Sequence, residues 1–94
     1  MIAVGPLSLV PTTREARVGE TLVPLTAMEF GLLLYLAQRA GTVVSRDELL
    51  AAVWGFRAPG VTRTVDVHVA SLRRRLGAPD LIQTVRGVGY TMPL

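Results

Sequence analysis

Apolar and polar positions alternate through the first 25 residues. Leu7 and Leu9 flank Ser8, and Pro11-Thr12-Thr13 breaks the run. Two further short strands are expected near Ala16 to Val18 and Thr21 to Leu25, joined across Gly19-Glu20. A glycine followed by another residue suits a tight hairpin turn, so these segments predict a small antiparallel sheet. The period then lengthens. TAMEFGLLLYLAQRAG, from Thr26, is apolar on most sides, as a central buried helix is. Thr26 and Glu29 have capping-box spacing: the hydroxyl takes the N3 amide and the carboxylate reaches back. Leu25 and Phe30 hold the staple positions, and Gly41 ends the helix. Gly31, inside it, costs about 1 kcal/mol relative to alanine, and nothing in the sequence accounts for it.

A second helix repeats the device. Ser45 caps, Glu48 answers, and Val44 and Leu49 form the staple. Leu49, Leu50, Val53 and Trp54 make its buried stripe, and Gly55 stops it. A loop, 56–62, turns at Pro59-Gly60. The third helix is RTVDVHVASLRRRL, 63–76, ended by Gly77 and Pro79. Val65, Val69, Leu72 and Leu76 form one narrow apolar stripe. The opposite face carries Arg63, Val67, Ala70, Ser71 and Arg74. Thr64, His68 and Arg75 flank it on one side, Asp66 and Arg73 on the other. Asp66 in the first turn and three arginines in the last suit the helix dipole. Ile82 to Val85 and Tyr90 to Met92 read as strands of a hairpin whose tip, Arg86-Gly87-Val88-Gly89, carries an arginine.

Composition narrows the function. Ninety-four residues suit one domain, 1–94, and half of them are hydrophobic, which argues against disorder. The absence of cysteine excludes disulfides, thiol catalysis and thiolate zinc sites, and a single histidine excludes a histidine-rich metal site; no cofactor is expected. The eight-residue apolar run Phe30 to Ala37 falls short of the roughly 20 residues a membrane helix needs. With no secretory signal visible, a cytoplasmic location is the expectation. Residues 1–52 hold four arginines against five acids, net −1; residues 53–94 hold six against two, net +4. The basic excess therefore lies on the third helix, its loop and the hairpin. Arginine suits phosphate and guanine edges.

Catalysis finds little support. Asp66, His68 and Ser71 are the residue types of a hydrolase triad, but on one helix Asp66 and His68 stand about 200° apart. The Arg86–Gly89 segment leads into a strand, unlike a phosphate cradle. No enzymatic role is expected. Two capped helices, a loop, a basic amphipathic helix and a hairpin form a helix-turn-helix with a wing, an α+β arrangement suited to duplex DNA. The blander readings stand beside it. Arg73 to Arg75 also satisfy a helix end, Trp54 and Tyr90 also fill a core, and His68 and Arg57 also suit plain surface. Asp66 would orient Arg63 or Arg73. A winged-helix module that docks on proteins is the alternative function.

LTAMEFGLLLYL (25–36), VVSRDELLAAVWG (43–55), RTVDVHVASLRRRL (63–76) and QTVRGVGY (83–90), in this order, resemble the C-terminal DNA-binding domain of OmpR/PhoB-family response regulators. The resemblance runs from about Leu7 to Met92. It implies a winged helix preceded by a four-stranded sheet, and sequence-specific duplex DNA binding within a two-component regulatory system. It also implies site roles. Arg63, Thr64 and His68 contact the DNA backbone. Val67, Ser71, Arg74 and Arg73 face the major groove, with Arg75 on the same helix. Trp54 touches a phosphate, Thr84 and Tyr90 contact backbone from the wing, and Arg86 enters the minor groove. Loop 56–62 corresponds to the segment that touches RNA polymerase in activators, and such domains commonly bind head to tail on direct repeats. Ala70 and Ser71 stand where some relatives carry arginine, so part of their direct readout is missing here. Specificity then leans on Val67 against a thymine methyl, on Arg74 and on DNA shape. The chain holds no receiver domain, and no aspartate in it has the setting of a phosphorylated one.

Overall fold

A computed structural model describes residues 1–55 and 61–94. Four strands open the chain: β1 (Ile2–Val4), β2 (Leu7–Val10), β3 (Glu15–Val18) and β4 (Thr21–Val23). Each pairs antiparallel with the next, giving a meander in the order β1-β2-β3-β4. Alternation by itself predicts only the last three. Ile2–Val4 has no alternating partner in sequence, yet it pairs with Leu9, Ser8 and Leu7 across the Gly5-Pro6 turn. Leu7, Leu9, Ala16 and Val23 point into the core.

The helix α1 (Ala27–Gln38) follows. Its capping box forms as expected: Glu29 N–H donates to Thr26 Oγ1 at 3.1 Å, and Thr26 N–H to Glu29 Oε1 at 2.9 Å. Phe30, Leu32, Leu33, Leu36 and Ala37 are buried, so α1 is the spine of the core. The helix ends three residues before Gly41, which adopts a left-handed φ of 86° and donates its N–H to Met92 O at 2.8 Å. Gly41 thus splices the helix exit to the chain's tail.

β5 (Val43–Ser45) and α2 (Arg46–Leu49) come next, and α2 widens into a π-helical turn over Leu50–Trp54. Two expectations change here. Ser45 Oγ caps the Glu48 amide at 3.1 Å, but the Glu48 carboxylate turns away to accept from Tyr35 OH at 2.6 Å, so the reciprocal half of the box is not made. Within the proposed stripe Leu49 and Leu50 are buried, whereas Val53 and Trp54 are half-buried. Gly55 ends the turn in the left-handed region.

The helix α3 (Arg63–Leu76) has the bounds its sequence indicates, with Gly77 left-handed beyond it. Its seam of Val65, Val69, Leu72 and Leu76 is buried. A short 3-10 turn, Pro79–Leu81, leads to β6 (Gln83–Val85) and β7 (Gly89–Thr91). The hairpin is as expected; its third strand is not. β5 pairs with β7, giving the order β5-β7-β6, with Val44 opposite Tyr90. The molecule is a winged helix. Among the described residues no helix is long and apolar enough to cross a membrane, and no cluster of metal-ligating side chains occurs.

Candidate nucleic-acid interface

The face of α3 opposite the seam is built by that seam. With Val65, Val69 and Leu72 fully buried, the 3.6-residue repeat turns Arg63, Val67, Ala70 and Arg74 outward, and Val67 is 57% exposed. Arg75 is exposed as well, while Thr64, His68, Ser71 and Arg73 are half-buried at the edges. Arg86 lies exposed at the wing tip beside Gly87, whose φ is 73°.

Two carboxylates hold this face in place. Glu29 of α1 is 3% exposed. Besides its capping bonds, its Oε2 accepts from Ser71 Oγ at 2.7 Å and from Arg75 Nε at 3.0 Å. Burial pushes the Glu29 carboxyl up. The Thr26 and Ser71 hydrogen bonds and the Arg75 charge outweigh it and hold the pKa below its ordinary value. Asp66 binds neither Arg63 nor Arg73 directly, contrary to the sequence expectation. Its Oδ1 accepts from Arg46 Nε at 2.8 Å and from Tyr90 OH at 2.6 Å. Arg46, on α2, lies nearer because β5 delivers it beside β7. Desolvation raises the Asp66 pKa, but the Tyr90 and Arg46 hydrogen bonds and the charges of Arg46 and Arg63 lower it overall.

Arg73 braces the wing. Its Nε and NH2 groups donate to Ile82 O at 3.0 and 2.8 Å, and NH2 also donates to Thr84 Oγ1 at 2.8 Å. Tyr90 is 5% exposed, its ring beneath Arg46 and Arg73 at 5.1 and 5.7 Å and its hydroxyl committed to Asp66. Thr84 is exposed beside it. His68 pairs Nδ1 with Thr64 O at 2.8 Å; a carbonyl accepts only, so Nδ1 carries the proton. The Trp54 ring stands edge-on to His68, centroids 4.9 Å apart. The π-helical turn gives Trp54 that position.

The sequence-derived residues therefore fall into three groups. Arg63, Val67, Arg74, Arg75, Thr84 and Arg86 are exposed; Trp54, Thr64, His68, Ser71 and Arg73 are partly so, and Tyr90 is buried. Of the arginines on α3 and the wing, only Arg75 lies within 4 Å of a carboxylate, among the described residues. Among the described residues Arg63, Arg73, Arg74 and Arg86 thus have no carboxylate within 4 Å, although the Arg63 charge acts on Asp66 from farther off. Pattern reading missed two residues that matter here. Glu29 is visible locally as a cap, but nothing local shows that it also meets α3. Arg46 carries no signal of its partner twenty residues on. Loop 56–62 falls largely outside the described residues, with Arg57 among those outside.

Residues 19–92 match the family described as "Transcriptional regulatory protein, C terminal". The chain belongs to this family. It is 43% identical, over 97% of its length, to the Alkaline phosphatase synthesis transcriptional regulatory protein PhoP of Bacillus subtilis, and 48% identical over 97% to the Transcriptional regulatory protein PrrA of Mycobacterium leprae. In each case it spans 40% of the relative's length. Among solved structures it resembles the Klebsiella pneumoniae RstA DNA-binding domain, determined in complex with the RstA box. The TM-score is 0.91 at 34% identity, covering 98% of this chain and 95% of that one. The transcriptional-regulator family is of the OmpR/PhoB type that the four sequence motifs indicate.

Proposed function

We propose that this chain is the sequence-specific duplex-DNA-binding effector domain of a two-component-type transcriptional regulator. One observation carries the reading. The exposed face of α3 bears arginines without carboxylate partners, on a helix slim enough for the major groove, and a wing arginine projects beside it. The likeness to the RstA domain, solved with its DNA box, supports it.

Val67 and Arg74 face base edges, and Arg63 and Arg86 supply charge to backbone and minor groove. Arg73, Thr84 and Tyr90 set the wing's angle, and Arg73 and Thr84 retain outward donors for phosphate. Thr64, His68 and Trp54 form a cluster at the backbone edge of the groove. Its one free histidine nitrogen, Nε2, bonds a phosphate only when protonated. Contact of loop 56–62 with RNA polymerase and head-to-tail pairing on direct repeats belong to the same reading, as do a cytoplasmic location and the absence of enzymatic activity.

Fluorescence anisotropy on promoter duplexes at several salt concentrations tests it. Each phosphate neutralised adds about 0.9 to the negative slope of log K against log salt. Four arginine contacts give a slope near −3 to −4. A flat slope, or unchanged affinity after neutralising Arg63, Arg74 and Arg86 together, overturns it in favour of a protein-docking module.

A further inference from the structure

A serine hydroxyl ordinarily reads either hydrogen-bond donors or acceptors on a base, because it can play both parts. Ser71 has lost one of them. Its Oγ lies 2.7 Å from Glu29 Oε2, and that carboxylate's other partners are all donors: the Thr26 amide on Oε1, and Arg75 Nε on the same oxygen as Ser71. A carboxylate so surrounded is ionised and has no hydrogen to give. The proton between the two groups is therefore the serine's. Toward solvent Ser71 retains only lone pairs, and it opens into a depression of about 260 Å³ whose walls include Val67 and Arg74.

We infer that Glu29, on a helix outside the groove, turns Ser71 into an acceptor-only reader of a base amino group, adenine N6 or cytosine N4. This rests on the DNA-binding reading above. Val67, Ser71 and Arg74 lie on one face, and each has a distinct chemistry: a methyl surface for the thymine methyl, an acceptor for an amino group, and a two-pronged donor for guanine O6 and N7. Val67 and Arg74, two helical turns apart, are separated by about 10.5 Å along α3, which spans about three base-pair steps. Ser71 lies between them. The operator word therefore places adenine or cytosine, and excludes guanine and thymine, on one strand between a thymine and a guanine. Glu29 is a positioning residue, and Ser71 is the reader.

Selection from a randomised duplex pool with the 94-residue chain reads out the word, and anisotropy at fixed salt measures it. The middle base is then replaced by its analogue lacking only the amino group: purine for adenine, pyrimidin-2-one for cytosine. We expect the wild type to lose roughly three- to tenfold on the analogue, the range of one net hydrogen bond. Ser71→Ala should bind both duplexes alike, while preferences opposite Val67 and Arg74 persist. Glu29→Gln, shown folded by circular dichroism, gives the serine a neighbour with hydrogens of its own. It should admit guanine or thymine at the middle position alone. Wild-type indifference to the missing amino group overturns the inference while leaving DNA binding intact. A folded Glu29→Gln with the same preference at all three positions overturns the part given to Glu29. If that variant does not fold, Ser71→Ala on the analogue duplex decides. Failure to bind any duplex overturns the proposed function instead.

Discussion

The molecule contains two antiparallel sheets made in opposite ways. The N-terminal sheet joins strands that are neighbours in sequence, through short turns, and presses Leu7, Leu9, Ala16 and Val23 onto α1. The wing sheet recruits β5 from beyond α1 to pair with β7, so Val44 faces Tyr90 across more than forty residues of chain. It is then tied to α3 by polar groups: Asp66 to Tyr90, and Arg73 to Ile82 and Thr84. The first sheet is secured by burial, which is non-directional. The second is secured by geometry at a few atoms, and its position relative to α3 sets where Arg86 points. A scaffold can be held by area alone, whereas a reading surface needs directed bonds.

Substitutions separate the two. Leu9→Ala, at a fully buried site of β2, should cost about 3–4 kcal/mol and lower the urea midpoint of the whole domain. Gly89→Ala should cost about 3 kcal/mol. The added Cβ would lie 2.0 Å from Val44 O, in the backbone of the neighbouring strand β5. Its damage should centre on the wing, seen as amide protection lost first at Val44 and Tyr90. If exchange in β1–β4 rises equally, the two sheets are not separable.

Tyr90→Phe keeps the ring beneath Arg46 and Arg73 and removes only the hydroxyl bonded to Asp66. A loss of about 1.5–3 kcal/mol by urea unfolding is expected, as for hydrogen bonds to charged groups. A neutral result would mean that Arg46 alone holds Asp66.

Acid should weaken both carboxylate hubs. Glu29 and Asp66 have pKa values lowered from 4.5 and 3.8, so the folded state favours their charged forms. Their contribution is complete above those values and is lost as pH falls through the lower folded pKa values. Urea midpoints should hold between pH 7 and pH 5 and decline from about pH 4.5 downward. Glu29→Gln should shrink that decline. Tyr90→Phe should also shrink it, by removing a bond that lowers the Asp66 pKa.

The smallest effect is a gain. Gly31→Ala places a Cβ 3.6 Å from Val53 Cγ1, ordinary contact distance, within helix α1. It should stabilise by about 0.5–1 kcal/mol in thermal unfolding. Destabilisation would show that α1 and the π-helical turn pack too closely to accept a methyl.

Much of this architecture is legible in the chain. The Thr26–Glu29 cap, the bounds of α3 and its seam, and the hairpin around Gly87 follow from local spacing, because a few residues contain all the atoms involved. β5 is not legible. Val43–Ser45 has three residues, too few to show a period, and its pairing depends on β7 arriving from the other end of the chain. Ser71 reads as outward-facing by helical angle, and Arg73 as groove-facing only through the family resemblance. Their hydrogen bonds to Glu29 and to the wing depend on how α1 and β6 pack against α3.

What the amino-acid order determined alone was the set of elements and the sidedness of α3: apolar repeats and caps act within one or two turns. Tertiary packing decided which carboxylate meets which arginine. It also decided that Glu29 spans from α1 to α3, and so which lone pairs Ser71 has left to offer. Those contacts join groups twenty to forty-six residues apart, and no local period encodes a distance that exists only after the chain has closed on itself.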